Sequence, residues 1–292
     1  MIEVTKEGKR FPFSKGILAR SLSITNLPLD EVYSIVKDIY RELERYQIDS
    51  IPSKQIKERV REKLLEKGYE EEERFYRISR DLRYLEKPIL ILIGGGPGVG
   101  KSTLSAELGH RLNTNRIIGT DTIREIMRTM ISTNLIPSLH VSTFMTNSVV
   151  SEPFIDNALI HGFDEQVRLV SEGVNAVIKR GIKEGLNTII NGVHIVPGYL
   201  NTCKSSKDSF VFQYILEVPD MDEHIDRFKL RAEGSHRDPQ RYIDRINNIR
   251  EIQEYIKSQA RKGGVMIIKN ADIDTSIRLI VRDIIETLDG SV

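Results

Sequence analysis

The chain has 292 residues, with 43 lysines and arginines against 42 aspartates and glutamates, and its only cysteine is Cys203. This length predicts about two domains, and the balanced charge argues against non-specific binding of nucleic acid or membranes. A lone cysteine excludes an intrachain disulfide and a cysteine-based zinc site. The low cysteine content, the lack of an apolar leader and the lack of a membrane-length apolar run together predict a cytoplasmic protein.

Residues 1–87 predict a small, charged, mainly helical domain. Gly8 marks the turn of a short hairpin, and Ser14 is placed to cap the helix that follows. Three more amphipathic helices are predicted, starting near Asp30, at Ser53 and at the acidic run Glu70–Glu73.

Residues 88–292 alternate apolar strands with amphipathic helices, a pattern typical of a parallel sheet covered by helices. The sequence therefore predicts an α/β fold with a five-stranded parallel sheet, preceded by the small helical domain. The predicted strands are Ile89–Gly94, Arg116–Gly119, Asn187–Asn191, Phe210–Val218 and Gly264–Lys269.

A phosphate-binding loop follows the first of these strands. Residues 95–102 fit the pattern G-x-x-x-x-G-K-[ST], in which backbone amides and a helix amino end surround phosphate oxygens. Lys101 is placed to reach the β- and γ-phosphates of a nucleoside triphosphate, and the Ser102 hydroxyl to bind Mg²⁺. The predicted nucleotide-binding residues are Gly95, Gly96, Pro97, Gly98, Val99, Gly100, Lys101, Ser102 and Thr103.

Asp121 follows the second predicted strand, at the sheet edge where ligands gather in α/β proteins. Its carboxylate could orient an attacking hydroxyl or bind Mg²⁺; alternatively it only caps a helix. Arg124 and Arg128 lie one turn apart on the helix that follows. Arg124 is a candidate catalytic residue, and both arginines could instead be ordinary surface residues.

The third predicted strand ends at Asn191. Many kinases with a phosphate loop of this kind carry an acidic residue at this position, where it holds the hydration shell of the metal. An amide accepts a hydrogen bond from water but brings no charge, so metal binding falls more heavily on Asp121. His194, three residues later, either contacts the substrate or is a buried structural histidine.

The segment 224–250 is rich in arginine and lies between the fourth and fifth predicted strands. This is where many small-molecule kinases place a lid, whose arginines neutralise the transferring phosphoryl group. Arg227 and Arg231 are the candidate catalytic arginines, although a solvated amphipathic helix would give the same pattern.

Beyond these motifs, the chain resembles the archaeal 2-phosphoglycerate kinase family, a group of P-loop kinases. The residues that carry the resemblance are Gly94–Thr103, Gly119–Arg128, Gly192–Gly198 and Asn247–Gln253. The stretch Val4–Ser14, with the helices after it, is similar to an ATP-cone domain, which that family also carries.

This resemblance implies phosphorylation of 2-phosphoglycerate to 2,3-diphosphoglycerate with ATP and Mg²⁺, on the route to cyclic 2,3-diphosphoglycerate. The acceptor carries a phosphate and a carboxylate, so its pocket needs cations, which Arg124, Arg128, His140, His194 and the lid arginines could supply. The resemblance also implies that residues 1–87 bind an effector nucleotide, for which Lys6, Lys9, Arg10 and Lys15 suit phosphate contacts.

Other interpretations remain open at the level of sequence. The acceptor could be a nucleoside, a polynucleotide end or another phosphorylated metabolite, or the chain could be an ATP-binding regulator. Residues 1–87 could be a structural cap or a dimerisation bundle. A small-molecule substrate is the expected partner, and a homo-oligomer is compatible with the sequence.

Overall fold

The computed structural model describes residues 2–25, 27–81, 87–150, 155–200, 208–233 and 238–289. The chain forms two compact units, one of residues 1–85 with 278–292 and the other of residues 86–277. The domain limits 1–87 and 88–292 stay a sequence-based prediction. Cys203 lies outside the described residues.

The first unit contains a three-stranded sheet. Strands β1 (Glu3–Lys6) and β2 (Lys9–Pro12) pair antiparallel, which confirms the predicted hairpin. Strand β3 (Ser50–Pro52) pairs parallel with β1 and gives the order β2-β1-β3. The sequence did not predict β3. A strand of three residues with one buried side chain, Ile51, is too short to show an alternation of apolar and polar residues.

Four helices pack against one another in this unit. The Ser14 side chain accepts a hydrogen bond from the backbone N–H of Ile17, so the predicted cap is confirmed. The apolar stripe of the second helix is fully buried and forms the centre of the core. The helices are α1 (Lys15–Ser21), α2 (Leu29–Arg45), α3 (Ser53–Glu66) and α4 (Glu70–Asp81).

The second unit is built on the predicted five-stranded sheet, in which all neighbouring strands are parallel. Its order is β5-β6-β4-β7-β8, so the strand before the phosphate loop lies in the centre. The strands are β4 (Ile89–Gly94), β5 (Ile117–Gly119), β6 (Thr188–Asn191), β7 (Phe210–Glu217) and β8 (Met266–Lys269).

The second unit places its apolar side chains in two core clusters, and both include residues of the long helix α7 (Ala158–Lys183). Two short 3₁₀ segments, Pro137–His140 and Thr143–Val149, precede α7. None of the helices among the described residues is long and apolar enough to cross a membrane. The helices are α5 (Lys101–Leu112), α6 (Thr120–Met130), α7 (Ala158–Lys183), α8 (Met221–Glu233), α9 (Gln240–Ile243) and α10 (Ile246–Lys262). The last helix, α11 (Ile273–Asp289), begins in this unit, and its residues from 278 onward belong to the first unit.

Strand register fixes where the site lies. Ile93, the next-to-last residue of β4, pairs with Asn191, the last residue of β6. Asn191 also pairs with Gly119, the last residue of β5. The phosphate loop, Asn191 and the start of α6 therefore emerge side by side at the carboxyl edge of the sheet, where ligands bind in folds of this type.

Candidate active site

The phosphate loop runs from β4 to α5, with Gly100 at the N-cap and Lys101 as the first helical residue. The Lys101 ammonium donates a 2.7 Å hydrogen bond back across the loop to the carbonyl oxygen of Gly96. This holds the charge over the concave side of the loop, where backbone amides and the helix amino end attract anions.

The environment of Lys101 destabilises its charged form. Burial lowers the pKa of Lys101 to about 8, nearby Asp121 opposes the shift, and Arg231 adds to it. The charges of Asp121 and Arg231 therefore lie within electrostatic range of the Lys101 ammonium.

Helix α8 supports the phosphate loop, a contact that the sequence analysis missed. His224 is fully buried, and its Nε2 donates a 2.7 Å hydrogen bond to the carbonyl oxygen of Pro97. Phe228 stacks on His224 and lies under Gly98. A Cβ on Gly98 would lie 2.5 Å from the Phe228 ring, and its φ of +82° also favours glycine.

The end of the loop is held by two further side chains. The Asn270 amide, directly after β8, donates a 2.8 Å hydrogen bond to the carbonyl oxygen of Val99. Arg227 Nη1 is 3.5 Å from the same oxygen, and its Nη2 donates to Glu223 and to the Asn270 carbonyl. The guanidinium of Arg227 is thus part of the loop's support.

The predicted lid segment is largely helical, because it comprises α8, α9 and the start of α10. Residues 234–237, at its middle, lie outside the described residues. Arg231 is an exposed residue of α8 whose charge acts on Lys101. For Arg227 to contact the transferring phosphoryl group, its guanidinium would have to leave its present partners. A catalytic role for Arg227 and Arg231 stays a prediction.

Asp121 is an exposed residue in the first turn of α6. The N-cap of this helix is Gly119, and no side-chain cap hydrogen bond forms there. Helix capping therefore does not explain Asp121. Its charge acts on both Lys101 and His194, which places the carboxylate beside the phosphate loop.

Ser102 and Asp121 fit a Mg²⁺ ion in their chemistry, since hydroxyl and carboxylate oxygens are its preferred protein ligands. Both side chains belong to exposed residues at the carboxyl edge of the sheet. The described residues contain no cluster of three or more acidic, histidine or cysteine side chains suited to a metal.

Arg124 is half-buried on α6 and binds the chain of the first 3₁₀ segment. Its Nη1 donates to the carbonyl oxygens of Val141 at 2.6 Å and Leu139 at 3.4 Å. Its Nε is buried without a hydrogen-bond partner, and no carboxylate among the described residues pairs with it. Arg124 thus leaves a positive charge at the site without a protein counter-ion.

The remaining cations predicted for the acceptor pocket are engaged elsewhere. Arg128 pairs with Glu125 at 3.2 Å on the exposed side of α6, and His140 Nε2 is 2.9 Å from the carbonyl oxygen of Ile131. His194 is fully buried with both ring nitrogens hydrogen-bonded. Of the two interpretations of His194, the structure supports the structural one.

Comparison with known proteins identifies the family of this chain. The ATP cone domain family model matches residues 1–84. A 2-phosphoglycerate kinase of Thermococcus kodakarensis is 40% identical over 291 residues, 99% of each chain. That of Pyrococcus furiosus is also 40% identical, over 97% of this chain and 93% of the relative.

A more distant relative is the 2-phosphoglycerate kinase of Methanothermobacter thermautotrophicus, 37% identical over 98% of this chain and 95% of its own. Among solved structures, a gluconokinase from Sinorhizobium meliloti 1021 is 13% identical with a TM-score of 0.41, over 70% of this chain and 97% of that one. The resemblance found in the sequence is confirmed at full length, and the chain belongs to the 2-phosphoglycerate kinase family, with an ATP-cone domain at its amino end.

Proposed function

We propose that this protein transfers the γ-phosphoryl group of ATP to 2-phosphoglycerate, giving ADP and 2,3-diphosphoglycerate. Its full-length relatives carry this substrate in their names. Within the structure, the supporting observation is the convergence of Lys101, Asp121, Arg124 and Arg231 beside the phosphate loop, where their charges act on one another or on His194.

The β- and γ-phosphates of ATP bind inside the loop of residues 95–103. Lys101 exchanges its hydrogen bond to the Gly96 carbonyl for phosphate oxygens. The phosphates raise its pKa from about 8, so the ammonium is charged in the complex. Lys101 and Arg231 then stabilise charge that develops between the β- and γ-phosphates during transfer.

The 3-hydroxyl oxygen of 2-phosphoglycerate attacks the γ-phosphorus, and the bond from that phosphorus to the β–γ bridging oxygen breaks to release ADP. Asp121 orients the hydroxyl and accepts its proton. Ser102 and Asp121 would hold Mg²⁺, which neutralises charge on the phosphates when bound. Asn191, beside them, contributes a neutral acceptor for metal-bound water.

Arg124 binds an anionic group of the acceptor. 2-Phosphoglycerate carries both a phosphate and a carboxylate, and a guanidinium recognises either one through paired N–H donors. The Nε of Arg124 is buried without a hydrogen-bond partner, and the salt bridges among the described residues do not include Arg124, so its positive charge is left for the acceptor. This argument favours a charged acceptor over a nucleoside.

The first unit binds an effector nucleotide in a cavity of about 720 Å³ between the hairpin and the starts of α1 and α3. Of the four predicted phosphate contacts, Lys6 alone is among the described residues that line it. Arg10 lies 3.4 Å from Glu3, and Lys15 packs over the Tyr40 ring. Lys54 and Lys57 line the cavity instead.

The protein acts in the cytoplasm on a small molecule, without a nucleic acid or membrane partner. The formal net charge of +1 argues against a nucleic acid or membrane partner, because nucleic acids and anionic membranes are held largely by excess positive charge.

A coupled ADP-release assay tests the proposed activity, with Mg-ATP and a panel of 2-phosphoglycerate, 3-phosphoglycerate, glycerate and nucleosides. We expect turnover with 2-phosphoglycerate and none above background with nucleosides, and no turnover in the Lys101→Ala control. Turnover confined to another acceptor would reassign the substrate. ATP binding without turnover on any acceptor would indicate a regulator.

A further inference from the structure

A chain of hydrogen bonds runs through the protein interior behind the candidate site. His194 Nδ1 is 2.9 Å from the Thr120 hydroxyl, and His194 Nε2 is 3.0 Å from Gln166 Oε1. These three side chains belong to residues with no solvent exposure. The chain connects the start of α6, the turn after β6 and the middle of α7.

The partners of Gln166 determine every proton in this chain. The Gln166 amide nitrogen donates to the carbonyl oxygens of Ser138 and Val141, so its oxygen faces His194 and must accept. His194 therefore carries its hydrogen on Nε2. Its Nδ1 is then an acceptor, and Thr120 donates to it.

His194 stays neutral in this environment. Burial lowers the pKa of His194 to about 3; the charge of Asp121 acts in the opposite direction, and Arg124 and Lys101 lower it. A neutral ring has one donor and one acceptor, and the two partners require one of each. A single tautomer therefore satisfies the whole chain.

Each end of this chain of hydrogen bonds leads to a candidate catalytic residue. Thr120 immediately precedes Asp121 and packs so closely on Gly192 that a Cβ there would lie 1.8 Å from the Thr120 hydroxyl oxygen. At the other end, the Val141 carbonyl accepts from both Gln166 and Arg124. The hydrogen bonds thus join the backbone of Asp121 to the segment that holds Arg124.

We propose that Thr120, His194 and Gln166 form a positioning network that sets Asp121 and Arg124 against Lys101 for the acceptor. This inference rests on the proposed kinase function. His194 acts as a positioning residue through its two partners and does not touch the substrate. A ring with the wrong tautomer would turn the Gln166 amide and release the Ser138 and Val141 carbonyls.

Thr120→Val tests the network, since valine keeps the shape of threonine and removes the donor. We expect kcat to fall and the acceptor KM to rise, with a combined loss on the order of 10²-fold for a displaced site, while the Kd for ATP stays unchanged. Thr120→Ser should restore most of the loss. Thr129→Val is the matched control, because Thr129 is an exposed residue of the same helix.

A second measurement reads the network directly. In ¹⁵N spectra of histidine-labelled protein, with the His194 signals assigned through His194→Gln, wild type should show hydrogen on Nε2. Thr120→Val should keep the hydrogen there, because Gln166 Oε1 still requires a donor, and should shift only the Nδ1 resonance, which loses its hydrogen bond from Thr120. Wild type protonated on Nδ1 would overturn the proposal, even if Thr120→Val fails to fold. A folded Thr120→Val protein with unchanged acceptor kinetics would overturn it as well.

These readouts separate the two hypotheses. The tautomer and the ATP affinity are measured without an acceptor, and the kinetic comparison uses whichever acceptor the ADP-release panel identifies. Failure of 2-phosphoglycerate as a substrate therefore refutes the proposed substrate alone. A wrong tautomer refutes the network alone.

Discussion

His224 and Pro97 are joined by a 2.7 Å hydrogen bond from the imidazole Nε2 to the backbone carbonyl oxygen. The two residues are 127 positions apart in the chain. The bond fixes the middle of the phosphate loop to α8, and Phe228 fills the space below Gly98 in the same contact. The shape of the loop therefore depends on a helix that contributes no residue to the phosphate-binding pattern.

We expect His224→Phe to weaken ATP binding. Phenylalanine keeps the stacking on Phe228 but leaves the Pro97 carbonyl without its donor, a loss of about 0.5–1.5 kcal/mol for a typical hydrogen bond. That corresponds to roughly a two- to tenfold increase in the Kd for ATP, measurable by calorimetry. His161→Phe, at an exposed position on α7, should leave the Kd unchanged; equal effects of both variants would contradict a specific role for His224.

Lys101→Ala should abolish phosphoryl transfer in a folded protein. Removing a charge that stabilises the transferring group costs about 10²–10³-fold in kcat at comparable sites, and here the ammonium lies over the concave side of the loop. Single-turnover kinetics with Mg-ATP measure the loss, and the melting temperature checks the fold. Full turnover by the folded variant would rule out the kinase mechanism.

Lys101 also predicts a pH dependence of ATP binding. Its pKa in the free protein is lowered to about 8, chiefly by burial. Above that pH the ammonium loses its proton, and ATP must bind together with proton uptake. The Kd for ATP should therefore rise between pH 8 and pH 10. The same titration of Lys101→Met should lack this step; a wild-type Kd that is flat through pH 10 would contradict the assignment.

Asp121→Asn should lower kcat far more than it weakens ATP binding. The amide keeps the size of the side chain but cannot accept the hydroxyl proton, and general base catalysis typically contributes about 10²–10⁴-fold. Steady-state kinetics and ATP calorimetry separate the two effects. Kinetics equal to wild type would leave Asp121 as an ordinary residue of the helix start.

The position next to the loop offers a companion variant. Asn191 lies at the carboxyl end of β6, beside Ile93 of β4 and Gly119 of β5. Adding Asn191→Asp to Asp121→Asn returns one carboxylate to the same edge. Partial recovery of kcat would indicate that the charge acts mainly through Mg²⁺. No recovery would indicate that Asp121 acts on the acceptor hydroxyl.

His194 predicts an acid-sensitive stability. Its pKa is lowered from 6.5 to about 3, with burial as the largest cause, so the unfolded chain binds a proton between these values and the folded chain does not. The contribution is fully present above pH 6.5 and is lost as the pH falls. From pH 7 to pH 5 we expect a loss of about 2 kcal/mol, measured by denaturant unfolding. The free energy of unfolding of His194→Gln should fall by about 2 kcal/mol less than that of the wild type over this range. An equal fall in both proteins would contradict the prediction.

Features that a local pattern encodes could be predicted from the sequence. The apolar run before Gly95 gives the central strand, and the spacing of glycines with Lys101 gives the loop that follows it. All five strands of the large sheet were found within two residues of their observed ends, because buried parallel strands are continuous apolar runs. Asp121 and Arg124 could be singled out because ligands gather after strands in such folds, and their roles stay predictions.

The contacts that were missed all join residues far apart in the chain. His224 and Asn270 hold the phosphate loop from 127 and 171 residues away, and Thr120 and Gln166 fix the ring of His194. A single sequence shows periodicity along an element but not which elements meet. The basic residues at the start of the chain were predicted to contact phosphate from their charge alone, whereas Arg10 pairs with Glu3 and Lys15 packs over the Tyr40 ring.

The cavity of the first unit leads to the last prediction. Lys6 and Lys54 line it from β1 and from the start of α3, with apolar contacts from Phe11 and Ile17. Cations beside an apolar surface suit a nucleotide, whose phosphates need charge and whose base needs apolar contact. Neither lysine belongs to the candidate active site, so nucleotide at the two sites can be distinguished by mutation.

We expect calorimetry to find two nucleotide sites in the wild-type protein and one in Lys6→Ala/Lys54→Ala. An effector at the first-unit cavity changes affinity at the catalytic site, typically by about 5–150-fold, and by linkage the change is the same in both directions. Turnover against ATP concentration should therefore lose its second phase in the double variant while single-turnover chemistry is retained. Lys37→Ala, an exposed lysine on α2, is the control. One site in both proteins, with identical ATP dependence, would make the first unit a scaffold.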